Sequence, residues 1–438
     1  MRFLMTFCLV LLMVSCQKSD PITLESKDFQ SSVDKVTEIM VHDIFSPPVA
    51  SRIYVYPNIA AYEILAQNSD GYNTLQGQIK GFPSVPSTTD ENVNVHLAAL
   101  IAHMDLSRML IFSEDKMIEY RDARYEEWEN INDSQFEASK NYGLEVANII
   151  AEWMDKDNYK ETRTMPKFAV RTDEVSRWQP TPPSYMDGIE PAWNKIRTMV
   201  LDSAAQFKPI THPEFSMEEG SDFYKELKEV YDVSKEITAD GDESEEIQIA
   251  QFWDCNPYVS VTRGHLMFAT KKITPGAHWI GITKIACNNS NLGFEDTVYA
   301  YTKTSIGIFD AFISCWDEKY RSNLVRPETL INNYIDDQWE PILQTPPFPE
   351  YPSGHSVVSG AASIVLTEIF GDNFSFDDDT EQPYGLPIRS FKSFRAAAEE
   401  AAISRMYGGI HYMAAIKNGV DQGYNVGQLV TDRLNMKN

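Results

Sequence analysis

The stretch from Pro346 to Gly360, PPFPEYPSGHSVVSG, marks the beginning of a helix. Its prolines restrict the backbone before Ser353, and an apolar run with small residues follows His355. Ser353 stands where a helix N-cap is expected, and the first turn of a helix carries unpaired N–H groups and partial positive charge. The stretch therefore predicts a helix start at Ser353 and Gly354 that is either a plain N-cap or an anion site.

Helical periodicity extends from this stretch through most of the chain. Apolar residues recur at three- and four-residue spacing, whereas no run of alternating strand residues and no internal repeat is found. The clearest segments are residues 92–110, 135–155, 354–371, 390–409 and 412–434. Gly371 is the expected C-cap of the third segment, and Ser390 is the expected cap of the fourth. The sequence predicts an all-α protein.

The N-terminal segment, MRFLMTFCLVLLMVSC over residues 1–16, resembles a bacterial lipoprotein signal peptide. Arg2 precedes an apolar run that is too short to span a bilayer, as in a signal peptide. The run leads to Cys16, which would become a lipidated N-terminus; an ordinary signal peptide with an incidental cysteine is the alternative. Gln17 then favours an address at the outer membrane of the bacterial cell envelope.

Beyond the signal peptide, residues 17–30 predict a polar tether, and residues 31–438 predict a single large helical domain. Hydrophobic residues make up 43% of the chain, which is ample for a core. The formal net charge is −26 at pH 7. This charge excludes nucleic acid and anionic lipid as partners, because phosphate-binding surfaces need basic patches. Membrane contact is expected only through the lipid anchor.

The remaining cysteines and the acidic runs predict no metal site. Cys255, Cys287 and Cys315 lack metal-ligand spacing, so they are expected to be buried apolar residues. The runs TADGDESEE, residues 238–246, and FDDDTEQPYG, residues 376–385, predict solvated loops rather than calcium sites.

A pair of cations lies before the opening stretch. Lys319 and Arg326 are seven residues apart, almost two helical turns, so both are expected to project from one helix face. Pro327 disfavours helix at Arg326 and is expected to end it there. Taken alone, such a pair is typical of a solvated face.

A second pair lies after the opening stretch. Arg405 is expected at the end of a helix, and His411 follows the break at Gly408 and Gly409. On one continuous helix the two side chains would point to different sides, but the glycine pair lets the chain turn so that both face one site. A lone histidine here is also compatible with a packed structural residue.

Together these segments resemble the signature of the superfamily of type 2 phosphatidic acid phosphatases, bacterial acid phosphatases and vanadium-dependent haloperoxidases. The matching segments, in the family's order and spacing, are Lys319-x6-Arg326-Pro327, Pro352-Ser353-Gly354-His355 and Ser404-Arg405-x5-His411. The resemblance implies a helical-bundle fold and an oxyanion cage. Its cations would be Lys319, Arg326 and Arg405.

The same resemblance implies roles for the other members of the signature. Ser353 and the Gly354 N–H would donate hydrogen bonds to the oxyanion. His411 would supply a ring nitrogen to the central atom, and His355 would move protons.

The flanking residues favour the haloperoxidase branch. The segments PPFPEYPSGH and CWDEK resemble haloperoxidases, in which aromatics at the positions of Trp316 and Phe348 border the vanadate and shape the halide pocket. QFWDCNPYV and TPGAHWIGI, at residues 251–259 and 274–282, resemble the same branch. The resemblance is strongest over residues 251–430 and places the catalytic half at about 245–435.

This branch implies vanadate as the cofactor, bound through His411. The vanadium would act as a Lewis acid and keep one oxidation state. Hydrogen peroxide, a halide and a small organic acceptor would be the partners, and hypohalous acid the product. His355 would accept the proton of hydrogen peroxide, and Lys319 would polarise the oxidant.

One position departs from the superfamily. An aspartate often stands four residues after the last histidine and holds its ring, but here that position is Ala415. The loss of a carboxylate is expected to weaken orientation of the His411 ring. A phosphomonoesterase acting through a phosphohistidine remains an alternative, weakened by this loss. A non-catalytic oxyanion-binding lipoprotein is the other.

Overall fold

The structure, a computed structural model, describes residues 20–241, 244–263, 266–269 and 272–438. Within these residues the chain is mostly helical, as the sequence predicts. The helices are α1 Ser26–Asp43, α2 Pro47–Asn68, α3 Val95–Arg108, α4 Glu114–Met154, α5 Tyr159–Thr162, α6 Asp222–Asp240, α7 Glu245–Phe252, α8 Pro275–Asn289, α9 Phe294–Ser322, α10 Pro327–Tyr334, α11 Gly354–Phe370, α12 Phe394–Tyr407 and α13 Met413–Arg433. None of these helices combines the length and the low charge needed to cross a bilayer.

Two antiparallel hairpins interrupt the described helices. Strand β1, Ser260–Arg263, pairs with β2, Leu266–Ala269. Strand β3, Phe376–Asp378, pairs with β4, Arg389–Phe391. Single turns of 3₁₀ helix lie at Trp193–Lys195 and Gln382–Tyr384.

Short polar side chains begin several of the helices. The Ser353 hydroxyl accepts the Ser356 N–H at 3.3 Å, so the predicted N-cap of α11 is confirmed. The predicted C-cap of the same helix, Gly371, is also confirmed. The predicted cap of α12 at Ser390 is wrong, because that residue pairs within the β3–β4 hairpin. Ser393 caps the helix instead and accepts the Ala396 N–H at 3.1 Å.

Helix α9 is the central element of the core. Every residue from Thr297 to Lys319 is buried, so this helix is enclosed on all sides. One hydrophobic cluster extends from Ile22 to Met436 and includes side chains of α1, α2, α9, α11 and α13. The C-terminal end of α9 therefore delivers Lys319 deep into the protein.

Glycines allow α11 and α13 to pack backbone against backbone. A Cβ atom at Gly423 would lie 2.2 Å from the Val357 carbonyl oxygen, and one at Gly427 would lie 2.6 Å from that of Ala361. Only a residue without a side chain permits this approach. The close packing brings the start of α11 beside the start of α13.

The described part of the predicted tether over residues 17–30 is instead structured. Ile22 is buried, and its N–H donates to the Gln135 side chain at 2.7 Å. Helix α1 begins at Ser26, and Phe29 is fully buried beside Phe294 and Tyr301. Burial of these apolar side chains favours helix over a solvated tether. Cys16 and the predicted signal peptide lie outside the described residues.

The acidic run at residues 376–385 is not the solvated loop that was predicted. Its first residues form β3, and both Asp378 and Glu381 are buried. The reason is a partner distant in sequence, because both carboxylates lie within 3.3 Å of a ring nitrogen of His278. In the other acidic run, residues 238–240 end α6 and residues 245–246 begin α7.

Candidate active site

The three segments of the signature bring their residues to one buried place. Lys319 lies in the last turn of α9, and Arg326 is the residue before α10. Arg405 lies in the last turn of α12. The described cavity at this place is lined by residues that include Trp316, Phe348, Gly354, His355, Arg405 and His411. The three segments of the signature therefore meet, as the sequence predicts.

The way in which Lys319 and Arg326 converge differs from the prediction. They do not share one helix face, because α9 ends at Ser322 and Asn323 adopts a left-handed conformation with φ of 51°. Pro327 begins α10 instead of ending α9. A turn between two helices, rather than two turns of one helix, brings both cations to the site.

Lys319 is tied to the proline-rich loop before α11. Its Nζ donates to the carbonyl oxygens of Pro349 at 3.0 Å, Glu350 at 3.1 Å and Pro352. The side chain is fully buried, and burial together with nearby Arg326 lowers the pKa of Lys319 to about 7. The ammonium thus holds the loop that leads to Ser353.

Arg326 is also fully buried and bridges two loops. Its guanidinium donates to the carbonyl oxygens of Phe348 at 2.9 Å and Ile410 at 2.8 Å. The Nη1 atom lies 3.2 Å from His411 Nε2. Burial lowers the pKa of Arg326 to about 10, although Glu350 opposes that change. The guanidinium therefore ties the proline-rich loop to the loop that carries His411.

Arg405 is hydrogen-bonded to the backbone at the end of α7 and just after it. Its Nη2 donates to the carbonyl oxygens of Trp253 at 2.8 Å and Ala250 at 3.3 Å. Burial lowers its pKa, while Asp254 acts in the opposite sense. The cation is thus placed by residues of α7 and the segment after it, which the sequence analysis did not assign.

His411 is oriented by a carboxylate that the sequence analysis did not assign. Its Nδ1–H donates to Glu350 Oε1 at 2.7 Å, and the same oxygen accepts the Tyr412 N–H at 3.0 Å. Ala415 does not leave the ring unsupported, because Glu350, in the proline-rich loop before α11, supplies a carboxylate instead. The signal in the sequence was a lone acid within the proline-rich stretch.

The protonation of His411 suits a ring that binds an oxyanion centre. Burial lowers the pKa of His411 well below its usual value, and Arg326 and Lys319 lower it further. The ring is therefore neutral near pH 7. With Nδ1–H directed at Glu350, the lone pair is on Nε2, beside the Arg326 guanidinium.

Glu350 is a buried acid that lies close to Arg326, Lys319 and His411. It is fully buried, and burial raises its pKa to about 8 against the opposing effects of Arg326 and Lys319. Its second oxygen, Oε2, has no hydrogen-bond partner. Near pH 7 this raised pKa favours the neutral form of Glu350, so the acid does not offset the positive charge of Arg326 and Arg405, which a bound oxyanion would relieve.

His355 lies in the first turn of α11 and faces the cavity. Its Nε2 is buried without a hydrogen-bond partner, while the ring also hydrogen-bonds to the Trp253 backbone. Burial and nearby Arg405 lower the pKa of His355 well below its usual value. The free ring nitrogen is therefore an acceptor for a proton from a molecule in the cavity.

Two aromatic rings cover the cationic side of the cavity. Trp316 and Phe348 pack with ring centroids 5.1 Å apart. The Phe348 ring lies 4.9 Å from Lys319 Nζ and 5.0 Å from the Arg326 guanidinium carbon. The structure thus places both predicted pocket residues beside the cations, where they exclude water and strengthen electrostatic interactions. Tyr258 and Asn256 line the same cavity and were not predicted.

A family model and a solved structure relate this chain to the same kind of protein. A family model described as the VCPO second helical-bundle domain matches residues 300–437. The chain is 65% identical to the first bacterial vanadium-dependent iodoperoxidase of known crystal structure, with a TM-score of 0.93 over 96% of this chain and 99% of that one. A search of the curated proteins gave no match.

Two further crystal structures share the fold. They are the apo and holo forms of a bacterial vanadium-dependent chloroperoxidase, each 17% identical to this chain. The TM-scores are 0.67 and 0.66, over 91% and 89% of this chain and 97% and 93% of theirs.

Proposed function

The chain belongs to the family of vanadium-dependent haloperoxidases, and from that premise we propose that the halide it oxidises is iodide. As a member of this family, it is an enzyme that uses vanadate and hydrogen peroxide to oxidise a halide to hypohalous acid. The observation that carries the choice of iodide is the 65% identity to a bacterial iodoperoxidase along almost the whole of both chains. Iodide is also the halide that gives up electrons most readily.

The residues of the site fit a tetrahedral oxyanion. Lys319, Arg326 and Arg405 are buried around the site, and the raised pKa of Glu350 leaves positive charge there for an anion to offset. Ser353 and the Gly354 N–H stand at the start of α11, where helix dipole and unpaired N–H groups favour an anion. Neutral His411 offers Nε2. We propose that these residues hold vanadate, with His411 as the ligand of the metal.

The chain's own residues supply binding, orientation and proton transfer. Bound vanadate would supply Lewis acidity at this place. Glu350 holds the His411 ring in one tautomer, and the buried cations offset the charge of the oxyanion. His355, neutral and with a free Nε2, takes the proton of hydrogen peroxide. Trp316 and Phe348 keep water from the cations and leave a small apolar surface for the halide and an organic acceptor.

The test compares halides on vanadate-loaded enzyme. Hydrogen peroxide is supplied with iodide, bromide or chloride, and oxidation is followed with a phenol dye and by triiodide absorbance. Iodide turnover that exceeds bromide turnover, with no chloride turnover, is expected. Equal turnover of bromide or chloride would refute the choice of iodide. The His411→Ala variant is the control, because it is expected to lose both vanadate and activity.

The His355→Ala variant distinguishes vanadate binding by the cage from proton transfer by His355. It is expected to retain vanadate, since His411 and the cations remain, and to lose rate by roughly two to four orders of magnitude. Retained iodide turnover in this variant would show that another group takes the proton. Hydrolysis of a chromogenic phosphate ester by the wild type, without any halide oxidation, would favour the phosphatase alternative.

We also propose that the enzyme is a lipoprotein of the bacterial outer membrane, anchored through Cys16. The form of residues 1–16 and the identity of Gln17 support this placement. Labelling of the wild type with a fatty-acid probe, and its loss in Cys16→Ala, is the expected result. Absence of label on the wild type would leave an ordinary signal peptide.

A further inference from the structure

A second polar cluster lies buried beside the active site. Cys255, His278 and Glu381 are all fully or almost fully buried, and their ligand-type atoms converge. Cys255 Sγ lies 3.5 Å from His278 Nδ1 and 3.7 Å from Glu381 Oε1, and the last two atoms are 3.3 Å apart. These residues come from the segment after α7, the first turn of α8 and the loop after β3. None of the three belongs to the vanadate cage, and His278 is not the histidine assigned to proton transfer.

The three distances agree with a tetrahedral zinc ion. The centre of a triangle with sides of 3.5, 3.7 and 3.3 Å lies about 2.0 Å from each corner. Zinc bonds measure about 2.3 Å to thiolate, about 2.0–2.1 Å to imidazole and about 2.0–2.2 Å to carboxylate. An ion slightly out of the plane of the three atoms meets all three bond lengths without movement of the backbone. A small ligand such as water would take the fourth position.

The far side of His278 has the support that metal-binding histidines have. Its Nε2 lies 2.8 Å from Asp378 Oδ2. Asp378 Oδ1 in turn accepts hydrogen bonds from Thr380, from its hydroxyl at 2.7 Å and its N–H at 3.0 Å. Trp253 stacks on the imidazole, with ring centroids 4.4 Å apart. A carboxylate behind the ring fixes its tautomer so that the Nδ1 lone pair points at the other two ligands.

We propose that Cys255, His278 and Glu381 form a zinc site, with Asp378 as the residue that orients the histidine. Thiolate, imidazole and carboxylate together are a ligand set that zinc accepts. The sequence analysis missed the site because the ligands are separated by 23 and 126 positions from Cys255 and make no short motif. The acidic residues that it assigned to a solvated loop supply one ligand and the orienting carboxylate.

The site is connected to the vanadate cage through one short segment. Trp253, two residues before Cys255, presents the carbonyl oxygen that accepts Arg405 Nη2 at 2.8 Å. The cavity of the cage is lined by Asp254 and Cys255 as well. An ion bound to Cys255 would therefore fix the wall that positions Arg405, without touching the substrates. Zinc would act here as a positioning ion.

The test begins with the vanadate-loaded full-length enzyme. Zinc is measured by inductively coupled plasma mass spectrometry after purification without chelator, and one equivalent per chain is expected. The protein is then stripped with a chelator and titrated with cobalt(II) under reducing, anaerobic conditions. A thiolate-to-cobalt charge-transfer band with tetrahedral ligand-field absorption is expected. Wild-type protein that holds no zinc and gives no such band would overturn the proposal and leave a hydrogen-bonded cluster.

Variants then assign the ligands. Cys255→Ser is expected to abolish the charge-transfer band, whereas Cys287→Ser, at a buried thiol elsewhere, keeps it. Asp378→Asn is expected to weaken zinc affinity by about 10- to 100-fold while the cobalt spectrum keeps its thiolate band. Circular dichroism confirms that each variant is folded. A cobalt spectrum that is unchanged in Cys255→Ser would show that the metal lies elsewhere.

Discussion

At the scale of single residues, the support of His411 is the least expected feature. The ring donates to Glu350 Oε1 at 2.7 Å across 61 positions of sequence. The cations, the serine and the histidines of the site could be predicted because each segment has a fixed local spacing. Glu350 could not be assigned a role, because a contact between a loop and a distant ring depends on how α11 and α13 pack.

We predict that Glu350→Gln weakens vanadate affinity by about 10- to 100-fold, the usual effect of losing a carboxylate behind a metal-bound histidine. The amide keeps the size of the side chain but offers a poorer acceptor to His411 Nδ1–H. Affinity is measured by calorimetry. Glu63→Gln, at a buried carboxylate outside the site, is the control. Equal affinity in Glu350→Gln and wild type would show that the ring needs no carboxylate.

At the scale of elements, Gly423 and Gly427 of α13 set the distance between α13 and α11, whose first turns border the site. The Ser353 N–H donates to the Ala415 carbonyl oxygen at 3.0 Å, so the starts of α11 and α13 are directly bonded. Helical periodicity predicted both helices, and their observed bounds fall close to the predicted ones. The glycines of the C-terminal segment cost helix stability but indicated close packing; that α11 is the helix packed against them was not predicted, because a partner distant in sequence is visible only in the folded structure.

Gly423→Ala tests that closeness. The added methyl group would lie 2.2 Å from the Val357 carbonyl oxygen, so the helices must separate. We expect a loss of roughly 1–3 kcal/mol in the free energy of unfolding, together with weaker vanadate binding. Urea denaturation and calorimetry measure the two effects. Gly293→Ala, where the added atom meets nothing within 4 Å, should leave vanadate binding unchanged.

The packing of α1 on α3 predicts a dependence of stability on pH. His103 of α3 is buried against Phe29, and its Nδ1 lies 2.9 Å from the Ser32 hydroxyl. Burial lowers the pKa of His103 to about 3. In the unfolded chain the ring keeps a pKa near 6.5, so below that pH the unfolded state binds the extra proton.

The contribution of His103 is therefore complete above about pH 6.5 and is lost as the pH falls toward 3, by about 1.4 kcal/mol per pH unit. We predict that His103→Gln removes this slope from the pH profile of its unfolding free energy, so the difference between variant and wild type changes by that amount per pH unit. His96→Gln changes a partly exposed histidine of the same helix and is the control. Parallel pH profiles for His103→Gln and wild type would contradict the assignment.

At the scale of the whole molecule, an acidic protein encloses a cationic centre. The chain has a formal net charge of −26, yet Lys319, Arg326 and Arg405 lie together in its interior. Composition predicted a sizeable core, periodicity predicted the helices, and the resemblance of the motifs to a known superfamily predicted the cage. What composition and motifs could not show are contacts made by single residues across the fold, such as those of Cys255 with His278 and Glu381.

The buried cations predict that vanadate stabilises the entire fold. An anion bound only by the folded state adds about 2.7 kcal/mol to the free energy of unfolding at a hundred times its dissociation constant. We expect the melting temperature to rise with vanadate concentration in differential scanning calorimetry. His411→Ala is the control, and an equal rise in that variant would mean that the stabilising anion binds elsewhere.

The acid that supports His411 stands at position 350 and not at position 415, and this affects how related sequences are recognised. In this chain position 350 carries the carboxylate that holds the His411 ring, and position 415 carries alanine. A chain with neither acid would keep the cationic cage but lose the carboxylate that orients the His411 ring, and we expect its activity to be lower. A sequence pattern that requires an aspartate four residues after the final histidine would not match this chain. A pattern that also admits an acid three residues before Ser353 would retain it.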